Sequence, residues 1–233
     1  EKGPDLREEF LPLAPIRIER DRVGRLPLGV LEPHRVPEAP GVLEVASGLE
    51  YLSEYPHGCL EQRMSQVAPD LVLGRMLKEL QLETRFTPML NANVKKLTDE
   101  LGQNQDDGGF FAYWPGTKGD VALTAQGVEF ITAAKKLGLP VDDKVRQRAI
   151  DALKKVLRSD FNNYYQAYRW NKQVVAIRAL ARANSLDEHY LIDLYQHRKD
   201  LDATSKADLA VAMGERANVF ATNLQALKGE LWD

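Results

Sequence analysis

The chain holds 233 residues, enough for one large domain or two small ones and for a substantial core. Hydrophobic content of 44%, charged content of 28% and a formal net charge of −3 are ordinary for a globular protein, and they give no reason to expect a nucleic-acid partner. No Lys/Arg cluster suits an anionic membrane surface, no apolar run reaches the length of a membrane span, and one cysteine excludes an internal disulfide.

The opening Glu1-Lys2-Gly3-Pro4 lacks a methionine, so the chain reads as a piece of something longer, and a missing signal peptide says nothing about compartment. Residues 1–40 carry seven of the twelve prolines, and Ile16-Arg17-Ile18-Glu19-Arg20 is their one clear alternating stretch. They read as an extended lead-in or as part of a neighbouring β domain. From residue 41 onward the pattern turns helical.

The single cysteine stands in Tyr55-Pro56-His57-Gly58-Cys59-Leu60-Glu61-Gln62. Proline and glycine punctuate the chain before it, and Leu60, Met64 and Val67 follow at helical spacing, so a helix is expected to begin near Cys59. Residues three apart in a helical turn share a face. A Cys59 thiol held against the Gln62 amide can attack it, expel ammonia and close a β-cysteinyl-γ-glutamyl thioester. The amides of a helix start favour negative charge, both on a thiolate and on a carbonyl oxygen under attack. The residues Cys59 to Gln62 alone leave a second reading equally open, a buried free cysteine that precedes a glutamine. Glu61 either complements the helix dipole, or helps orient Gln62, or accepts a proton during attack on the amide.

Further along, Gln105-Asp106-Asp107-Gly108-Gly109-Phe110 precedes Tyr113-Trp114-Pro115-Gly116 and Asp120-Val121-Ala122-Leu123-Thr124-Ala125. The aspartate pair before two glycines reads as a turn former. Helical stripes then follow: Val121, Ala125, Val128 and Ile131; Val145, Ala149, Leu153 and Val156; Val174, Ile177 and Ala181. Gly102, Gly138-Leu139-Pro140 and Asn184-Ser185 read as stops. Roughly eight or nine helical segments can be counted this way. Joined by short turns they predict helical hairpins, which can close into an α/α toroid. His34, His189 and His197 have no ligand spacing and read as surface residues, and no metal constellation is visible.

The segment from Tyr55 to Gln62 resembles the thioester signature of bacterial alpha-2-macroglobulins, Tyr-Pro-aromatic-Gly-Cys-Leu-Glu-Gln. The blocks between Gln105 and Ala125 are similar to the second recognisable part of that domain, in the same order and at a fitting separation. The resemblance covers residues 41–233. It implies an all-α toroid, here incomplete at its C-terminus, containing a Cys59–Gln62 thioester. It implies a stoichiometric trap, not an enzyme: a cut bait segment elsewhere uncovers the bond, and a lysine of the protease attacks it. The implied partners are target proteases and neighbouring macroglobulin-type domains, with no cofactor, no metal, no nucleic acid and no direct membrane contact. The implied location is periplasmic or otherwise exported to the cell envelope.

In that family a tyrosine at the place of Tyr55 helps shield the bond from water. Gly58, Glu61 and Trp114 are the further supporting residues that the resemblance suggests, although second-block aromatics beside a Gly-Gly turn also serve simply to anchor it. Complement-type relatives use a second-block histidine to direct transfer to hydroxyls. Residues 103–125 hold no histidine, a departure that points to direct attack by amines. His57 occupies a position where the family commonly has another aromatic, with a role as local base open to it.

Two other classes stay in view. An α/α-toroid enzyme of terpene-cyclase or prenyltransferase type has similar Gln…Asp-Gly-Gly-aromatic turns, but needs an acidic metal motif or a zinc triad. A non-reactive helical interaction module would keep the motif without forming the bond.

Overall fold

The helical periodicity is realised as eight α-helices among the residues that the computed structural model describes, 58–79, 87–158 and 169–232. These are α1 (Leu60–Glu79), α2 (Thr87–Leu101), α3 (Val121–Lys136), α4 (Asp143–Arg158), α5 (Arg169–Arg182), α6 (His189–Gln196), α7 (Ala203–Gly214) and α8 (Ala217–Trp232). Short 3₁₀ turns follow α2 at Gly102–Asn104 and α6 at Arg198–Asp200. Among the described residues no helix is long and apolar enough to cross a membrane. The expected change of character near residue 41, and the alternating stretch at Ile16, lie outside the described residues.

The stops have identifiable chemistry. Gly138, at φ +85°, follows α3 and closes a Schellman motif, with Gly138 N–H donating to Lys135 O (3.0 Å) and Leu139 N–H to Ala134 O (3.1 Å). Asn184 does the same after α5 at φ 54°, with Ser185 N–H donating to Leu180 O at 2.8 Å. The starts are capped by aspartates. Asp120 accepts from Leu123 N–H at 2.9 Å, Asp142 from Lys144 N–H at 2.8 Å, and Asp202 from Ser205 N–H at 2.7 Å. That last bond holds the Asp202 carboxyl below its ordinary range.

Helix packing alternates. The odd helices follow one another, α1 on α3, α3 on α5 and α5 on α7, while α2 packs on α1, α4 on α3 and α5, and α8 on α7. This is the two-layer alternation of an all-α toroid. An inner helix has neighbours on several sides, so α3 buries far more than its predicted stripe: Leu123, Phe130 and Ala134, and also Thr124, Gly127 and Thr132. Gly127 is small for a reason, since a Cβ there would lie 2.5 Å from the buried Phe111 ring. Outer α4 keeps a clean amphipathic pattern, burying Ala149, Ile150, Ala152, Leu153, Val156 and Leu157 on one face. Charge ties the inner layer together. Arg178 of α5 pairs with Glu129 of α3 at 2.7 Å and with Asp208 of α7, and Arg182 joins Glu129 at 3.0 Å. Burial opposes the Arg178 charge, but its hydrogen bonds to Glu129 and Asp208 outweigh that and raise its pKa.

Candidate functional site

Cys59 stands immediately before the first residue of α1, and its carbonyl accepts the first helical bond from Arg63 N–H at 3.1 Å. It is therefore the N-cap residue. Its own N–H donates to Gln62 Oε1 at 3.0 Å. This is the reach-back half of a capping box, with the glutamine three residues into the helix folded over the cap. The same bond has a chemical consequence. A hydrogen-bond donor on the amide oxygen polarises the Gln62 carbonyl, and it stabilises the charge that collects on that oxygen when a nucleophile adds. Leu60 and Met64 are buried and root the turn in the core, while Cys59 stays partly exposed.

Gly58 leaves the space that the folded glutamine occupies. A Cβ on it would lie 3.1 Å from Gln62 Cβ and 3.2 Å from Oε1, so any side chain would press on the amide. Glu61 is exposed in the first turn, complementing the helix dipole.

The second block reaches this turn through its backbone. Leu60 N–H, one of the donors a helix start leaves without an internal partner, donates to Tyr113 O at 3.0 Å. Behind it lies a tightly bonded loop. Gln105 and Phe111 form a single antiparallel bridge, and Asp106 accepts from Phe110 N–H (2.9 Å) with one oxygen and from Gly119 N–H (2.9 Å) with the other. Asp106 is a turn former, as its sequence context predicts. Gly109, at φ +89°, lies so close to α4 that a Cβ would stand 2.7 Å from Arg148 O. Phe111 N–H donates to Thr124 Oγ1 at 2.8 Å, which fixes the loop on α3.

Gly58, Cys59, Glu61 and Gln62 thus form one turn, with Tyr113 fastened to it. Partial desolvation pushes the Tyr113 phenol above its ordinary range, aided by the charges of Asp120, Glu61 and Cys59. Trp114 follows on a turn in which its carbonyl accepts from Thr117 Oγ1 at 2.7 Å, and its side chain is 55% exposed. Tyr55 and His57 lie outside the described residues. His189 is exposed on α6, and His197 stacks on Trp170 with ring centroids 4.0 Å apart. No group of three His, Cys, Asp or Glu side chains among the described residues could hold a metal.

Two residues of this site carry no sequence signal. Arg63, the residue after Gln62, pairs with Glu100 of α2 and donates to Asn104 Oδ1 at 3.3 Å. Asn104 is buried in the turn after α2 and donates to Ala112 O at 3.0 Å and Tyr113 O at 3.4 Å. Only the chain's path brings positions 63 and 104 together.

No family model matches the chain. Two curated proteins are similar to it, both alpha-2-macroglobulins. That of Escherichia coli (strain K12) is 28% identical over 167 residues, covering 68% of this chain and 10% of the relative. That of Xylella fastidiosa is 29% identical over 178 residues, covering 72% of this chain and 11% of the relative. The chain thus spans about a tenth of the length of these relatives. Among solved structures, native E. coli alpha-2-macroglobulin from domain MG7 to the C-terminus superposes with a TM-score of 0.67 at 25% identity, covering 80% of this chain and 30% of that one. Over most of its length the chain is similar to bacterial alpha-2-macroglobulins, as its two motif blocks suggest.

Proposed function

We propose that Cys59 and Gln62 form an intramolecular thioester, and that residues 41–233 are the thioester-bearing toroid of a stoichiometric protease trap. The hydrogen bond from Cys59 N–H to Gln62 Oε1 carries this reading, because it folds the Gln62 amide back onto the backbone of the cysteine and polarises it. In the first step Cys59 Sγ adds to Gln62 Cδ and a C–S bond forms. The Cδ–Nε2 bond then breaks, the nitrogen takes the thiol proton, and it leaves as ammonia. In the second step a lysine amine of the target adds to the same carbon. A C–N bond forms, the C–S bond breaks, and Cys59 leaves as a thiolate that takes the proton lost by the amine. The donor on the carbonyl oxygen serves both steps, since both pass through charge on that atom. One Cys59–Gln62 pair is consumed per event, so the protein acts once and does not turn over.

Amines are the expected nucleophiles, since residues 103–125 carry no histidine to redirect transfer to hydroxyls. By likeness to the relatives, the bait and the trigger belong to neighbouring macroglobulin-type domains, with residues 1–40 as an extended lead-in or part of a neighbouring β domain. The target proteases are met outside the cytoplasm, in the periplasm or cell envelope. Tyr55, Gly58, Glu61 and Trp114 are assigned to shielding or support of the bond.

Intact mass tests the proposal. The purified protein should be one ammonia lighter than its sequence, and methylamine should add one amine and expose one thiol at Cys59. A chain of unshifted mass that yields no methylamine-dependent thiol would instead be a non-reactive helical module.

A further inference from the structure

We infer that Asn104 is a positioning residue for the Cys59–Gln62 bond, an inference that rests on the thioester reading. Asn104 joins three separate pieces of the chain, its own turn and two others. The 3₁₀ turn after α2 carries it, and its own carbonyl accepts Ala112 N–H at 2.8 Å. Its Nδ2 donates to the carbonyls of Ala112 (3.0 Å) and Tyr113 (3.4 Å), and its Oδ1 accepts from Arg63 Nη2 at 3.3 Å. At 2% exposure it has no water to replace these partners.

Two of its contacts act on the reactive turn. Tyr113 O is shared between Asn104 Nδ2 and Leu60 N–H, so the asparagine fixes the acceptor that holds the residue next to Cys59. Arg63, the residue after Gln62, is held by Asn104 and Glu100 together. The first turn of α1 is thereby gripped once through its backbone and once through a side chain. Sγ must meet Gln62 Cδ along a narrow approach, and misplacing reacting groups by about 1 Å costs on the order of 10²-fold in rate. The hydrogen bonds of the Asn104 side chain go to Arg63, Ala112 and Tyr113, not to the reacting pair. Asn104 sets where the turn that carries that pair stands.

Asn104→Asp isolates this role. It preserves size and the acceptor toward Arg63, but replaces the two donated hydrogen bonds with a carboxylate facing two carbonyl oxygens. Asn93→Ala is the control, since Asn93 joins α2 to Asp70 of α1 at 2.9 Å through a bond outside the reactive turn. In the purified full chain, Asn104→Asp should lower the fraction of molecules lacking one ammonia, and the thiol released by methylamine, by roughly fivefold or more, since fivefold is about the worth of just one of the two buried hydrogen bonds it removes. Asn93→Ala should leave both readings at the wild-type level, with thermal melting showing both variants folded. Wild-type readings in Asn104→Asp, or an equal fall in Asn93→Ala, would overturn the positioning role alone. A wild-type chain without the mass loss would overturn the thioester reading, and this inference with it. If Asn104→Asp does not fold, the neutral Asn104→Ser is read by the same two outcomes.

Discussion

The start of α1 and the inner helices α3, α5 and α7 are held by different physics. Only Leu60, Met64, Asp70 and Leu71 are buried among the 20 residues of α1, whereas nine of the 16 residues of α3 are. α1 also carries Pro69 in its interior, which removes one helical hydrogen bond, and leaves Val72 at 60% and Met76 at 47% exposure. Its first turn is fixed by directional bonds, from Cys59 N–H to Gln62, from Leu60 N–H to Tyr113 O, and from Arg63 to Asn104. The inner helices are fixed by apolar area and by the Glu129–Arg178–Asp208 charges. Area is forgiving in direction and costly in amount; hydrogen bonds are the reverse. Stability and reactivity should therefore respond to different substitutions.

The largest expected effect separates them outright. Cys59→Ala and Gln62→Ala should each abolish methylamine incorporation, while thermal melting stays within about 1 kcal/mol of wild type, since neither side chain is in the core. A variant that still incorporates amine would break the comparison from the reactive side. On the other side, Leu180 of α5 is fully buried. Leu180→Ala should cost about 2–5 kcal/mol in urea unfolding, and molecules that remain folded should keep their reactive bond.

Gly58→Ala sharpens the boundary. The added methyl would meet Gln62 Cβ at 3.1 Å and Oε1 at 3.2 Å, so the glutamine must swing and the Cys59 N–H bond lengthen. We expect a several-fold loss of bond formation by intact mass, with a stability change of roughly 1 kcal/mol or less. Full bond formation in this variant would show that the amide does not need its present seat.

These regions also differed in how far the sequence disclosed them. The stripes on α3, α4 and α5 were legible because each buries a face at helical spacing, and Gly138 and Asn184 were legible because left-handed caps select those residue types. The return of Gln62 onto the backbone of residue 59 was legible because three residues of separation is a local relation. Inner against outer placement was not. Thr124, Gly127 and Thr132 are buried by neighbours that no one-helix pattern reveals. Nor did residue type distinguish the adjacent aromatics, of which Tyr113 lends its carbonyl to Leu60 while Trp114 is 55% exposed. Asn104 and Arg63 were invisible for a simpler reason. Their bond joins residues 41 apart, and asparagine or arginine at such positions signals nothing alone.

The smallest predicted effect tests whether α1 has any stability to gain. Asp70 lies just after Pro69, is 6% exposed and accepts from Asn93 Nδ2 at 2.9 Å. Burial raises its pKa above 3.8, and the Asn93 bond offsets part of that rise. The folded state therefore binds more protons than the unfolded state between pH 3.8 and the raised value. This group's stabilisation is fully present below that window and is lost as pH rises through it. At neutral pH the chain bears the cost of a buried charge, and Asp70→Asn removes the charge while keeping an acceptor for Asn93. The variant should gain on the order of 1 kcal/mol or less at pH 7 and lose that part of the pH dependence. Urea unfolding of both chains from pH 7 down to pH 4 gives the two slopes. Parallel slopes would mean that Asp70 adds nothing to the weak hold on α1, leaving its sparse apolar burial and Pro69 as the whole cause.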